Sequence, residues 1–157
     1  MERNWWIALL ETKPLLIIGI GNPSRGDDAI GPLLIEWLEQ ATNFDCRWNY
    51  QLQIEDAEEI AGYDSVLLID AHVNQDRLLE INEVLPIEDS SFSTHSLSPA
   101  TVTALNQKYF SHHPKVQLLS LKGVSFELGS SPSLQADLAM NEAKVFLTQF
   151  LCEYDKA

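Results

Sequence analysis

Three polar side chains are the main candidates for chemistry in this sequence. Asp28 closes a glycine-rich loop, Asp70 ends a continuous apolar run, and His95 lies in a run of serine and threonine residues that precedes a predicted helix. Carboxylate oxygens together with an imidazole nitrogen form a mixed ligand set that suits a divalent transition-metal ion with open coordination positions. Their spacing along the chain does not show that they converge, so this interpretation depends on the elements that carry them.

Each candidate also has a purely structural interpretation. Asp28 and its neighbour Asp27 stand at the predicted start of a helix, where carboxylates can cap free N–H groups and favour the positive end of the helix dipole. Asp70 could accept hydrogen bonds from loop N–H groups only, and His95 could bond to the hydroxyls around it. A carboxylate at the end of a buried strand must in any case be paired or belong to a site, because an isolated buried charge is costly.

The other three histidines are weaker candidates. His72 lies two residues beyond Asp70 and offers a second imidazole near that carboxylate. His112 and His113 fall in a turn between a predicted helix and a predicted strand, and we expect them to be exposed turn residues.

Several common site classes are excluded. The glycines of residues 19–31 do not have the GxGxxG spacing, no GK[ST] follows them, and two carboxylates at the helix start would repel a pyrophosphate. The sequence contains no GxSxG motif, which excludes the usual serine-hydrolase elbow. Neither Cys46 nor Cys152 stands at a predicted helix N-terminus that would favour a thiolate, so a cysteine nucleophile is not expected.

Apolar runs and helical periodicity predict alternating strands and helices. Strands are predicted at residues 15–20, 47–53, 65–69, 78–85 and 116–121, and helices at 29–40, 55–61, from 98 or 101 to about 110, and from 134 to about 154. This order predicts an α/β three-layer sandwich, with a twisted, mostly parallel sheet of about five strands, helices on both faces, and residues 78–85 at an edge. Ligands bind beyond the carboxyl ends of strands in such sheets, which directs attention to residues 22–28, 70–74 and the segment around His95.

Composition limits the partners and the compartment. The chain of 157 residues predicts a single domain, residues 1–157, and its 10 basic and 23 acidic residues give a net charge of −13. So acidic a protein repels phosphate backbones, which argues against nucleic acid and anionic membranes as partners. Two cysteines in no CxxC pattern suit a reducing cytoplasm. An apolar patch at residues 5–10 is too short to span a bilayer and is expected to pack on the protein or to contact another.

Three segments together resemble the hydrogenase maturation proteases. LLIIGIGNPSRGDDAIG resembles the family's N-terminal signature, VLLIDA its strand ending in Asp-Ala, and STHSLSPATV its histidine segment ahead of a helix. The resemblance covers nearly all of residues 14–155 and leaves residues 1–13 as an N-terminal extension. Residues 51–52, Gln-Leu, are similar to the branch that serves bidirectional, NAD(P)-linked hydrogenases.

The resemblance implies a function and a site. The family removes the C-terminal extension of the large-subunit precursor of nickel–iron hydrogenases, so the expected partner is that precursor. Asp28, Asp70 and His95 correspond to the positions that engage nickel, which the precursor supplies. The nearby His72 leaves open which histidine binds. The chain is expected to act as a cytoplasmic monomer.

Two mechanisms and two other functions stay open on the sequence alone. Nickel could polarise the scissile carbonyl or activate a water molecule, or it could serve for recognition while Asp28 or Asp27 acts as general base. A nickel-binding chaperone without peptidase activity would use the same three ligands. A plain α/β interaction module would need none of them.

Overall fold

The computed structural model describes residues 12–88 and 97–155, and strands and helices alternate along them. The strands are β1 (Lys13–Ile20), β2 (Asp45–Asn49), β3 (Tyr63–His72), β4 (Leu79–Glu83) and β5 (Lys115–Lys122); the helices are α1 (Ile30–Ala41), α2 (Ile54–Glu59), α3 (Pro99–Tyr109) and α4 (Leu134–Asp155). Short 3₁₀ turns at Gly26–Ala29 and Ile60–Gly62 precede α1 and follow α2.

The five strands form one sheet in the order β2-β1-β3-β5-β4. Neighbouring strands are parallel except for β4, which pairs with β5 antiparallel and lies at an edge. Parallel neighbours need crossover connections, and helices supply them. The predicted architecture and the edge position of residues 78–85 are confirmed.

Helices cover both faces of the sheet because the central strands are apolar on both sides. Leu15 and Ile17 of β1 belong to a core shared with α1 and α4, whereas Leu16 and Ile18 belong to a second core shared with α2 and α3. A strand that is buried on both faces has a continuous run of apolar residues, and this run predicts β1 from the sequence. The result is the expected three-layer sandwich.

The second strand lies earlier than predicted. The sequence pattern predicts a strand at residues 47–53, whereas β2 spans Asp45–Asn49. Leu52 misled that prediction because it is buried without belonging to the strand, and it makes an isolated bridge to Leu97 instead. Burial and strand pairing are separate properties, and the sequence pattern reports the first.

Two further predictions bear on the ends of the chain and on membranes. The apolar patch at residues 5–10 lies outside the described residues, so its role stays a prediction. Within residues 12–88 and 97–155, no helix combines the length and apolar character needed to cross a bilayer.

Candidate active site

The loop after β1 brings Asp28 back over the end of its own strand. Gly21 has φ +144°, and a Cβ atom there would lie 1.9 Å from the Asp28 carbonyl oxygen and 3.1 Å from its Oδ1. Only glycine combines this backbone conformation with so close an approach. Gly21 therefore fixes the position of Asp28 at the carboxyl end of β1.

One hydrogen bond orients the half-buried carboxylate of Asp28. The backbone N–H of Asn22 donates to Asp28 Oδ2 at 2.8 Å. Asp28 Oδ1 accepts no hydrogen bond from the residues that the structure describes. One carboxylate oxygen is thus fixed by a hydrogen bond, while the other is available to bind a cation or a substrate.

Asp70 lies near the carboxyl end of the neighbouring strand β3. Its Oδ1 accepts a hydrogen bond from the N–H of Ala71 at 2.8 Å. Burial, together with the negative charge of Asp28, raises the pKa of Asp70 to about 7, although the Ala71 hydrogen bond acts in the opposite direction. Asp28 and Asp70 therefore lie near each other at the carboxyl ends of adjacent strands, a convergence that their spacing along the sequence left open.

A buried polar pair supports the strand beside Asp70. Asp70 is in register with Ser120 of β5, whose hydroxyl donates to Gln75 Oε1 at 2.8 Å. The Gln75 Nε2 group donates in return to the Ser120 carbonyl at 2.9 Å. Both residues are buried, so this exchange satisfies polar groups that could not reach water and fixes the segment after β3.

Asp27 has a different role from its neighbour. It is fully buried, and its carboxylate accepts hydrogen bonds from Val124 N at 2.7 Å, Ser125 N at 3.1 Å, and Ser133 N and Oγ at 2.6 and 2.7 Å. Burial by itself raises the pKa of Asp27, but these four donors outweigh it and the net pKa is lowered. Asp27 is an ionised tie between the loop of residues 22–29 and the loop of residues 123–133.

This geometry corrects two predictions about the paired aspartates. Neither carboxylate caps α1, whose N-cap is Ala29 and has no side-chain cap bond. The 3₁₀ turn Gly26–Ala29 intervenes, so Asp27 bonds to a distant loop and Asp28 bonds backwards to Asn22. Asp27 is also unsuited to act as a general base, because its oxygens are already occupied by four donors.

No sequence motif marks the loop that Asp27 binds. Ser133 and the residues just after β5 carry no motif, yet they supply all four hydrogen-bond donors to the Asp27 carboxylate. The available signal was topological, since residues 123–133 follow the carboxyl end of a parallel strand and must lie at the same edge as Asp28 and Asp70. Backbone bonds reinforce the tie, with Gly129 N donating to Ser24 O at 2.7 Å and Asp27 N to Ser125 O at 2.8 Å.

The histidine predictions have separate outcomes. His95 lies outside the described residues, so its place in the site stays a prediction. His72 is exposed and its Nδ1 accepts from the N–H of Asn74 at 3.3 Å. Within residues 12–88 and 97–155, no three histidine, cysteine or acidic side chains form a metal-binding group, so His72 does not complete one with the two aspartates.

The remaining histidines lie away from this site, and neither cysteine has the features of a nucleophile. His112 and His113 precede β5, at the opposite end of the sheet, where their Nε2 atoms lie 2.8 and 2.7 Å from the carbonyl oxygens of Tyr63 and Phe110. His113 is exposed, as predicted, whereas His112 is half-buried because its ring packs against the Tyr63 carbonyl. Burial and nearby carboxylates raise the pKa of Cys46, which disfavours a thiolate nucleophile.

Several solved structures with this architecture are hydrogenase maturation proteases. The [NiFe] hydrogenase maturation protease HycI from Thermococcus kodakarensis KOD1 has a TM-score of 0.69 and 24% sequence identity, over 88% of this chain and 92% of that one. The hydrogenase maturating endopeptidase HybD from E. coli has a TM-score of 0.70 and 21% identity, over 90% of this chain and 93% of that one. This is the hydrogenase maturation protease fold.

The likeness extends over almost the whole length of the proteins compared. A third structure with the maturation protease fold, the Hydrogenase 3 Maturation protease, has a TM-score of 0.61 and 17% identity, over 83% of this chain and 86% of that one. No protein-family model and no curated protein sequence matches the chain. The similarity thus resides in the arrangement of strands and helices, and function must be argued from the site.

Proposed function

We propose that this protein is an endopeptidase that removes the C-terminal extension of the nickel-loaded large-subunit precursor of a nickel–iron hydrogenase. The observation that carries the proposal is the convergence of Asp28 and Asp70 at the carboxyl ends of β1 and β3, close enough for one charge to raise the pKa of the other. The likeness to maturation proteases supports it.

The residues present fit a borderline divalent cation brought by the substrate. Each aspartate has one carboxylate oxygen held by a backbone N–H and a second that accepts no hydrogen bond from the described part of the chain. Asp28, Asp70 and, from the sequence resemblance, His95 would supply oxygen and nitrogen ligands to nickel held by the precursor. When bound, nickel supplies Lewis-acid chemistry.

The chain's own groups then have distinct tasks. Asp28 and Asp70 dock the metal-loaded segment and hold it against the strand ends, while Asp27 keeps the surrounding loops in place. Gly21 and Asn22 set the orientation of Asp28. If nickel serves only for recognition, Asp28 is the carboxylate available as general base, because Asp27 is fully hydrogen-bonded.

A processing assay tests the proposal. Purified protein is incubated with its cognate large-subunit precursor, loaded with nickel or free of it, and the mass of the precursor is recorded. We expect a C-terminal peptide to be lost from the nickel-loaded form only. No loss of mass from either form, with tight nickel uptake by the protein alone, would favour a non-proteolytic nickel chaperone.

Compartment and oligomeric state are part of the same proposal. We infer a cytoplasmic monomer. The two cysteines, both free among the described residues, support the compartment. Sedimentation of the purified protein and fractionation of the source cells test these two points. The branch that serves bidirectional hydrogenases is tested by offering precursors of different hydrogenases in the processing assay.

A further inference from the structure

The strand β2 offers an open edge of the sheet that leads to the site. It is the first strand in the sheet order, and its only neighbour among the described residues is β1. Asn49, its last residue, accepts a hydrogen bond at 3.0 Å from the N–H of Gly21, the glycine over which Asp28 lies. A segment aligned along β2 would therefore reach the carboxylates directly.

The pairing of β2 with β1 determines which of its main-chain groups face outward. In a parallel ladder, alternate residues of a strand bond to a given neighbour. The bond from Gly21 to Asn49 puts Arg47 and Asn49 on the β1 side, so Cys46 and Trp48 turn their N–H and C=O groups outward. In the favoured amide orientation, the side chain of Asn49 donates to the Trp48 carbonyl at 2.8 Å. The N–H and C=O of Cys46 and the N–H of Trp48 have no hydrogen-bond partner among the described residues.

The surroundings of this edge favour a peptide with basic side chains. A groove of about 420 Å³ lies beside Asp45, Cys46 and Arg47 at the start of β2, several residues before the end of the strand that leads to Asp28. Its charged lining residues are Glu39, Asp45, Glu59 and Arg47. Asp56 and Glu59 pair with Arg47, and Asp45 pairs with Lys13 at 2.9 Å, so four carboxylates face two cations. Carboxylates thus outnumber cations, in a protein whose net charge is −13.

We propose that the substrate binds by strand addition: the segment of the precursor next to the scissile bond pairs with β2 through the main-chain groups of Cys46 and Trp48. The inference rests on the proposed function, since it names the surface that presents an extended polypeptide to Asp28 and Asp70. Main-chain pairing supplies affinity, and the acidic groove selects basic side chains. The opposite edge, β4, lies two strands away from β3 and is not used.

Hydrogen exchange at single residues tests the pairing. The protein is deuterated alone and with its nickel-loaded precursor, and exchange is read by mass spectrometry with electron-transfer fragmentation. We expect the amides of Cys46 and Trp48 to exchange fast alone and to slow by about tenfold or more with the precursor. The amide of Glu83, which faces outward on β4, should not change.

A proline variant gives an independent test. Cys46→Pro removes an outward N–H and places a ring against the incoming strand, while the bonds to β1 remain, as edge strands tolerate. We expect KM for the precursor to rise by about tenfold with kcat little changed. Glu83→Pro, the matched change on the other edge, should leave both constants at the wild-type values.

The outcomes separate this inference from the proposed function. Cleavage by the wild type without slower exchange at Cys46 and Trp48 overturns strand addition and leaves the peptidase assignment intact. If hydrogen exchange at Cys46 and Trp48 slows when the protein alone is concentrated, but not when the precursor is added, the edge pairs with a second copy of the protein. That result also overturns strand addition by the precursor. If the wild type cleaves neither form of the precursor, the proposed function fails first.

Discussion

Asp28 and Asp70 lie near the carboxyl ends of two adjacent strands, where burial and the charge of Asp28 raise the pKa of Asp70 to about 7. Two carboxylates so placed repel one another unless a proton or a cation lies between them. The arrangement is unfavourable for folding alone, and a bound cation would relieve it. This is the physical basis for treating the pair as a functional site.

Removal of either carboxylate charge should abolish processing. We expect Asp28→Asn and Asp70→Asn each to lower kcat/KM for the nickel-loaded precursor by at least about 100-fold, because each loses an anionic oxygen ligand. The matched control is Asp76→Asn, at an exposed residue beyond β3. Full processing by either site variant would contradict the assignment.

The raised pKa of Asp70 predicts how stability depends on pH. The group titrates near 3.8 when unfolded and near 7 when folded, so the folded state holds the extra proton between these values. Stability contributed by this group therefore falls as pH rises from about 4 to about 7. Asp70→Asn should not show this loss. Its free energy of unfolding should therefore rise relative to the wild type by on the order of 2 to 4 kcal/mol between pH 4 and pH 8.

The measurement is urea unfolding of both proteins across that pH range with a chelator present. If the difference in free energy of unfolding between the wild type and Asp70→Asn is constant from pH 4 to pH 8, burial does not raise the pKa of Asp70.

Asp27 should matter for stability more than a surface carboxylate does. In Asp27→Asn, an amide N–H₂ would face backbone donors, so we expect the free energy of unfolding at pH 7 to fall by about 2 to 4 kcal/mol. Ser133→Ala, which removes one hydroxyl donor, should cost about 1 kcal/mol. Because the pKa of Asp27 is lowered, its stabilisation is present above pH 3.8 and is lost as the pH falls through the folded value.

Denaturant titration at pH 7 and at acid pH measures both effects. Equal stabilities of wild type and Asp27→Asn at pH 7 would contradict the role of Asp27 as a tie between the two loops.

Gly21 should tolerate no side chain. We expect Gly21→Ala to unfold the protein or to lower its stability by about 3 kcal/mol or more, because φ is positive and the Asp28 carbonyl lies in the way. Gly62→Ala is the control, since a Cβ atom there would meet nothing within 4 Å. Thermal melting distinguishes the two, and near-wild-type stability of Gly21→Ala would refute the close approach.

The two candidate histidines can be separated by substitution. We predict that His95→Ala loses processing of the nickel-loaded precursor, whereas His72→Ala retains it, because His72 is exposed and does not complete a metal group with Asp28 and Asp70. The processing assay with mass detection reads both variants. The reverse result would assign the imidazole ligand to His72.

The sequence by itself determined the layer architecture and the location of the acidic pair. β1 and β3 each contain a continuous apolar run, as a strand buried on both faces requires; β3 then reaches Asp70, and β1 is followed by the loop that carries Asp28. The carboxyl ends of parallel strands lie at one edge of the sheet, so the sequence alone assigns Asp28 and Asp70 to the same edge. Three sequence motifs also indicated the resemblance of the chain to the hydrogenase maturation proteases.

Tertiary structure alone decided the roles of the adjacent aspartates and the limits of β2. Asp27 and Asp28 are identical in type, yet one is an ionised tie to Ser133 and the other lies at the site, because the 3₁₀ turn points their side chains in different directions. Buried Leu52 belongs to a bridge and not to the strand. Local patterns record burial and charge, whereas contacts between distant segments decide which partner each group finds.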